Sequence, residues 1–391
     1  MKICFAVCEY NPLHNGHLRH IEYIKNVIKP DFIGVIMSGN FTQRGEIAVM
    51  DKFTRAKHAV MAGADIVFEL PTVFATAPAE IFAKGSVKLL SEIKGNNLLC
   101  FGTESGEKDK LLATASALLN ETKEFKKLYK EELKNGVTSI KAKVNALEKM
   151  DIENLDFELL KSPNNILGIE YTKAILSQKS KLEICPIIRE GAGYNDDELY
   201  DGISSASAIR KAILSGKIKQ TKSSLPSYVY EDLPKQLPSC DDLIFYSLLK
   251  NDKKDLKKIL DCTEGLENRI KALLKNNLSL EELKDKLKTK RYTYSRISRI
   301  LLSSLLAIKE SFIKKCLSNE LYLKVLAVNK DKMNVLGVVS KQLKIPLITQ
   351  KKDVDKLSGT ALECFKIDVL ANDIHNFVTK KITNEYEMKL I

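Results

Sequence analysis

The stretch KICFAVCEYNPLHNGHLRHIEYI, residues 2–24, decides the fold. Its first seven residues are a continuous apolar run rather than an alternating one, the pattern of a strand buried on both faces of a parallel sheet. A turn containing Asn11 and Pro12 follows, and then HLRHIEYIKNVI (17–28) carries apolar residues at helical spacing. The same order recurs outward from this unit. FIGVIMS (32–38), DIVFELP (65–71) and LLCFG (98–102) read as strands, separated by the helical patterns DKFTRAKHAVMAGA (51–64) and AEIFAKGSVKLLSEI (79–93). Such alternation predicts an α/β fold with a parallel sheet covered by helices on both sides.

Beyond this block, residues 108–149 are helical in character, a helix is expected at GIEYTKAILSQ (168–178) after PNNILG, and LEICPII (182–188) supplies a fifth strand. In GISSASAIRKAILSG (202–216) a serine cluster leads into a helix stopped by glycine. The proline- and serine-rich stretch 223–239 marks a boundary between two expected domains, 1–222 and 223–391. The second reads as mostly helical, with a little sheet expected at KVLAVNK and IPLITQ.

Charge divides the chain close to the same place. Residues 1–210 hold 27 Lys and Arg against 28 Asp and Glu, whereas residues 211–391 hold 35 against 22. A neutral front half joined to a basic back half suggests a catalytic module beside a module that binds a polyanion. The eight cysteines are scattered without a CxxC pair, which excludes a disulfide framework and a thiolate zinc site and fits a reducing cytoplasm. No segment approaches the ~20 apolar residues that span a bilayer, and no signal-peptide pattern opens the sequence, so no membrane partner is expected.

Three of the five histidines, His14, His17 and His20, fall just past the first strand. A metal needs three or more converging ligands, and these offer only imidazoles along one helix edge with no acidic partner, so no metal site is expected. The alternative is an anion site. Ligands of a parallel sheet bind at strand carboxyl ends, helix N-terminal amides attract phosphate, and Gly16 lets it approach the backbone. His14 and His17 lie one turn apart and can reach the same group, while His20 reads as a helix-face residue. In ISSASAIR (203–210), Ser204 or Ser205 serves as an N-cap, or the hydroxyls and Arg210 grip a second phosphate. Ser38, Asn40, Gln43 and Arg44 in SGNFTQRGE lie beyond the second strand, where they shape the site or form a polar loop. In the basic half, RYTYSRISR interleaves Arg291, Arg296 and Arg299 with Tyr292 and Tyr294, a composition suited to an RNA loop or to a surface ion-pair face.

HNGH after the first strand and ISSASAIR after the last resemble the HxGH nucleotidyltransferase superfamily. More closely, EYNPLHNGH, MSGNFTQRGEIAVMDKFTRAKHAV, DIVFELP, CFGTES, SPNNILGIEY and RYTYSRISRILL run in the order of the bacterial tRNA(Met) cytidine acetate ligases, over essentially the whole chain. The resemblance implies a Rossmann-like sheet and a two-step reaction. ATP and acetate give acetyl-adenylate and pyrophosphate, and the N4 amine of the wobble cytidine of elongator tRNA(Met) takes the acetyl group. It implies His14, His17 and Arg210 as catalytic residues, with Mg²⁺ sharing the phosphate charge. The ATP site is expected along Val7, Cys8, Glu9, Tyr10, Asn11, Pro12, Leu13, His14, Asn15, Gly16, His17 and His20. Further ATP contacts are expected from Gly102, Asn164, Asn165, Arg189, Glu190, Ser204, Ser205, Ser207 and Arg210. Arg291, Arg296 and Arg299 are the expected tRNA contacts. At GYND the chain departs from the family pattern, with Asn195 where a histidine is expected. Two other functions compete: a small-molecule adenylyltransferase, which leaves the basic half unused, and an RNA-binding protein with a degenerate nucleotide site, which the intact HNGH opposes. No motif encodes an oligomeric state.

Overall fold

The structure, a computed structural model, describes residues 1–104, 107–120, 122–137, 139–150, 157–160, 162–188 and 202–391. Five parallel strands form its centre: β1 (Ile3–Cys8), β2 (Phe32–Ser38), β3 (Ile66–Leu70), β4 (Leu98–Thr103) and β5 (Glu183–Ile188). They lie in the order β5-β4-β1-β2-β3, so the strand order reverses beside β1. Alternate residues of each strand feed two cores. Ile3 and Phe5 enter one, with Phe68, Leu99 and Phe101, while Cys4 and Ala6 enter the other, with Val35, Met37 and Cys100. Burial on both faces is why the strands read as unbroken apolar runs.

The helices that matter for the site are α1 (Asn15–Tyr23), α2 (Lys52–Met61), α3 (Ala79–Ser91), α4 (Pro163–Ser177) and α5 (Ala206–Leu214). Helix α1 passes into a π-turn, Ile24–Ile28, so the expected helix 17–28 is one regular helix plus an irregular last turn. Helix α4 begins earlier than expected: Ser162 caps it, Pro163 occupies its first turn, and PNNILG is its start rather than the loop before it.

The basic half is mostly helical, and its helices include α6 (Tyr294–Leu305) and α7 (Gly359–Thr379). It does not keep a sheet of its own. Strand β6 (Leu323–Val328) pairs antiparallel with β3, and β7 (Leu347–Ile348) and β8 (Lys389–Leu390) pair with β6, giving one eight-stranded sheet. The core on one sheet face runs on without interruption into the C-terminal helices. The chain thus crosses the expected boundary at residue 223 and returns to finish the sheet begun by residues 1–222.

A buried ionic knot fastens this return. Lys52 of α2 lies 2.6 Å from Glu69 of β3 and 2.7 Å from Glu385, and Lys324 of β6 bridges the same two carboxylates. All four side chains are buried. Each charge has two opposite partners, which offsets the cost of taking it out of water.

Candidate active site

A cleft opens at the carboxyl ends of β1, β4 and β5, where the strand order reverses, the position at which open α/β sheets bind ligands. The turn after β1 and the N-terminus of α1 form one wall. His14 is the N-cap of α1: its Nδ1 accepts the Gly16 amide at 3.1 Å, while the Nδ1 of His17 accepts the His14 amide at 3.3 Å. The two imidazoles therefore form a reciprocal capping box, with rings stacked 3.7 Å apart. A ring nitrogen that accepts carries no proton, so in each neutral imidazole the proton resides on Nε2. The cap thus sets both tautomers with Nε2–H as the donor. Gly16 is required sterically as well, since a Cβ there would stand 3.0 Å from the His14 ring.

Helix α5 supplies the opposite wall. Ser205 is its N-cap, accepting the Ala208 amide at 3.0 Å, so the N-cap reading of the serine cluster holds for this residue. Arg210, one turn in, donates from Nη1 to the Asn11 carbonyl at 2.9 Å and from Nη2 to the Ser207 hydroxyl at 3.4 Å, with Glu46 at 3.7 Å. The guanidinium is thereby tied to the HNGH turn, and the two motifs face one cleft.

Most residues expected at the ATP site line this cleft: Val7, Cys8, Glu9, Tyr10, Asn11, His14, Gly16, His17, His20, Gly102, Asn164, Ser204, Ser205, Ser207 and Arg210. Others support it from behind. Leu13 is in the core, Asn15 donates to the Gly202 and Ser223 carbonyls, and buried Asn165 accepts the Glu104 amide. Pro12 sits in the turn with a cis Asn11–Pro12 peptide. Arg189, Glu190 and Asn195 lie outside the described residues. His20, read from sequence as a helix-face residue, faces the cleft, with Nε2 at 3.4 Å from the Cys100 sulfur. Apolar walls escaped sequence reasoning: Phe82, Phe101, Leu167 and Tyr171 on one side, and Tyr23, Pro186, Ile187 and Ile203 on the other. They read as ordinary core positions, and only the tertiary fold brings them to the rim.

One anchor beneath the cleft was also missed. Arg55 of α2 is fully buried and donates to the carbonyls of Glu9 at 2.6 Å, Ser38 at 3.1 Å, Met50 at 3.0 Å and also Gly39. It fixes the ends of β1 and β2 relative to each other, and burial pulls its pKa down to about 10. The Glu9 carboxylate accepts the Gln43 amide at 2.6 Å. Burial pushes its carboxyl above the ordinary range, against the Gln43 amide and the Arg210 and Arg55 charges. Burial also pushes the Cys8 thiol well up, so no thiolate is at hand in the cleft wall at neutral pH. Among the described residues, no group of three or more His, Cys, Asp or Glu side chains is placed to hold a metal ion by itself. No helix among them is long and apolar enough to cross a membrane.

The loop 39–49 brings Gln43 and Arg44 to the cleft and rests on α6. Gly45, at φ +76°, packs so closely that a Cβ would stand 2.4 Å from the Arg299 backbone nitrogen. Arg299 donates to the Gln43 carbonyl at 3.4 Å. This arginine, expected on an RNA face, thus points at loop 39–49 of the cleft wall. Arg296 stacks on Tyr292 at 4.3 Å and donates to the Asp261 carbonyl at 2.9 Å, and Tyr292 is buried, so that ring is closed to a base. Arg291 remains exposed, paired with Glu264 at 2.9 Å.

Comparison with known proteins places this geometry. The model of the HIGH Nucleotidyl Transferase family matches residues 1–389. A tRNA(Met) cytidine acetate ligase of Thermosipho melanesiensis is 40% identical over 360 residues, covering 89% of this chain and 84% of its own. That of Clostridium novyi is 39% identical over 401 residues, covering 100% and 98%. The crystal structure of Thermotoga maritima TmcAL without ligand superposes with a TM-score of 0.92 at 30% identity, and that of the same protein bound with alpha-thio ATP with a TM-score of 0.89, each covering both chains fully.

Proposed function

The chain belongs to the tRNA(Met) cytidine acetate ligases within the HIGH nucleotidyl transferase family, and from that membership we propose how its cleft performs the reaction. ATP binds between the HNGH turn and α5, as the neighbour bound with alpha-thio ATP supports. Acetate attacks the α-phosphorus, pyrophosphate leaves, and acetyl-adenylate remains. The N4 amine of the wobble cytidine of elongator tRNA(Met) then displaces AMP to give N4-acetylcytidine, in the cytoplasm where that tRNA works. Carboxylate is a poor electrophile and a cytosine amine a poor nucleophile, so activation must come first.

The observation that carries this reading is the stacked His14–His17 pair, whose Nδ1 atoms are both committed to backbone amides. Two Nε2–H donors held without rotational freedom suit the charge that builds on the α-phosphate during displacement. Arg210, the α5 amides and the 204–207 hydroxyls suit the β- and γ-phosphates. Mg²⁺ would supply charge neutralisation beside Arg210 and the 204–207 hydroxyls; among the described residues no group of three or more His, Cys, Asp or Glu side chains is placed to hold it alone. The basic half faces the tRNA, with a net charge to match.

The test uses purified protein, ATP, labelled acetate and elongator tRNA(Met), with pyrophosphate release and mass analysis of digested tRNA as readouts. Acetate-dependent pyrophosphate release and N4-acetylcytidine are expected. His14→Ala or His17→Ala should lower turnover roughly 100- to 1,000-fold with the fold intact. Turnover without acetate, or none with tRNA(Met) present, would overturn the assignment.

A further inference from the structure

Acetyl transfer to an aromatic amine releases a proton, and neither the His14–His17 pair nor the Cys8 thiol is placed to accept it. The neutral imidazoles of His14 and His17 have their Nδ1 lone pairs occupied by amides. The Cys8 thiol is protonated. Among the described residues that line the cleft, Glu9 is the sole carboxylate.

We propose that Glu9 is a catalytic residue, the proton acceptor of the transfer half-reaction, an inference that rests on the ligase reading above. Its position is fixed at both ends. Arg55 holds its carbonyl at 2.6 Å, and the Gln43 amide holds Oε1 at 2.6 Å, so the carboxylate is aimed by the loop that α6 supports. An anionic side chain repels a triphosphate, so Glu9 does not serve as a phosphate contact. A role as metal ligand would call for acidic partners, and among the described residues no such cluster exists. Once pyrophosphate has left, the same charge faces a space that a neutral cytosine can enter.

The step balances without a further reagent. N4 attacks the acetyl carbonyl carbon; the new C–N bond forms as the C–O bond to AMP breaks; AMP leaves with that electron pair. One N4 proton passes to Glu9 and then to water. Burial raises the Glu9 carboxyl above the ordinary carboxylate range, which makes its anion a stronger base. The charged and titratable groups facing Glu9 are Arg55, Arg210, Glu46 and Cys8, and the first two favour its charged form against the burial that opposes it.

The experiment separates the two half-reactions in Glu9→Gln and Glu9→Ala, at equal folded fraction. Acetate-dependent ATP–pyrophosphate exchange reports the first. Single-turnover transfer from preformed acetyl-adenylate to tRNA, followed against pH, reports the second. Transfer should fall on the order of 100-fold, at least tenfold more than exchange, and the acid limb of its pH profile should vanish. Added formate should partly restore transfer in Glu9→Ala. Equal loss of both half-reactions, an unchanged transfer rate, or a raised Mg²⁺ requirement for exchange would overturn the proposal. If the wild-type protein makes no N4-acetylcytidine, it is the ligase reading that fails instead.

Discussion

At the scale of single residues, the site depends on side chains that bind the backbone. His14 and His17 cap their own helix before they meet any substrate, and the cap chooses their tautomers. Arg55 does comparable work beneath them, holding four backbone carbonyls with one side chain. An ammonium has three donors on one atom and cannot span these oxygens, whereas a guanidinium can. Arg55→Lys should therefore leave buried carbonyls unpaired and cost about 2–4 kcal/mol, read as a lower urea midpoint with an unchanged slope. The histidines were legible in the sequence because a strand, a polar turn and a glycine frame them. Arg55 was not. In DKFTRAKHAV, Lys52, Arg55 and His58 share one helical face, and a face of charges reads as solvated. Here all three are buried, because the carbonyls and carboxylates they meet come from elsewhere in the chain.

At the scale of elements, α2 is placed by the residue that caps it. Asp51 caps it through the Thr54 amide at 2.8 Å and meets Lys381 at 2.8 Å, joining the helix to the end of the basic half. Burial opposes the charge of Asp51, but the Lys381 and Thr54 hydrogen bonds outweigh it and hold the pKa at about 2. A carboxyl depressed from 3.8 to about 2 contributes stability that is complete above its unfolded value and is lost as pH falls through that interval. Asp51→Ala should cost about 2 kcal/mol at neutral pH, and thermal unfolding should show the difference from wild type shrinking toward pH 2. The start of α4 shows how legibility fails at element ends. Ser162 and Pro163 are a helix-opening pair, yet Asn164 and Asn165 after them read as loop. Their amides instead bind Glu104 and its backbone beside the cleft.

At the scale of the whole molecule, the α/β order and the charge split were legible, whereas the union of the two halves was not. Local periodicity finds β6 as a strand but carries no information on its partner. The pairing with β3 is antiparallel and lies some 250 residues away in sequence. The charge of the second half makes a prediction about association. If about six phosphates are neutralised, tRNA affinity should fall about 1,000-fold between 50 and 200 mM salt, less steeply where the contacts are single-stranded. Filter binding across that range measures the slope, and a flat line would remove the basic half from tRNA recognition.

The late pairing of β6 with β3 also governs how the protein is made. On the ribosome, β3 emerges with an unpaired edge of Ile66, Val67 and Phe68, and some 250 residues must be added before β6 arrives. At roughly 5–20 residues per second, that edge stays open for about 13–50 seconds. During translation the half-made sheet is thus a template for pairing with other nascent chains, and its protection is a matter for chaperones and translation speed as much as for the native fold.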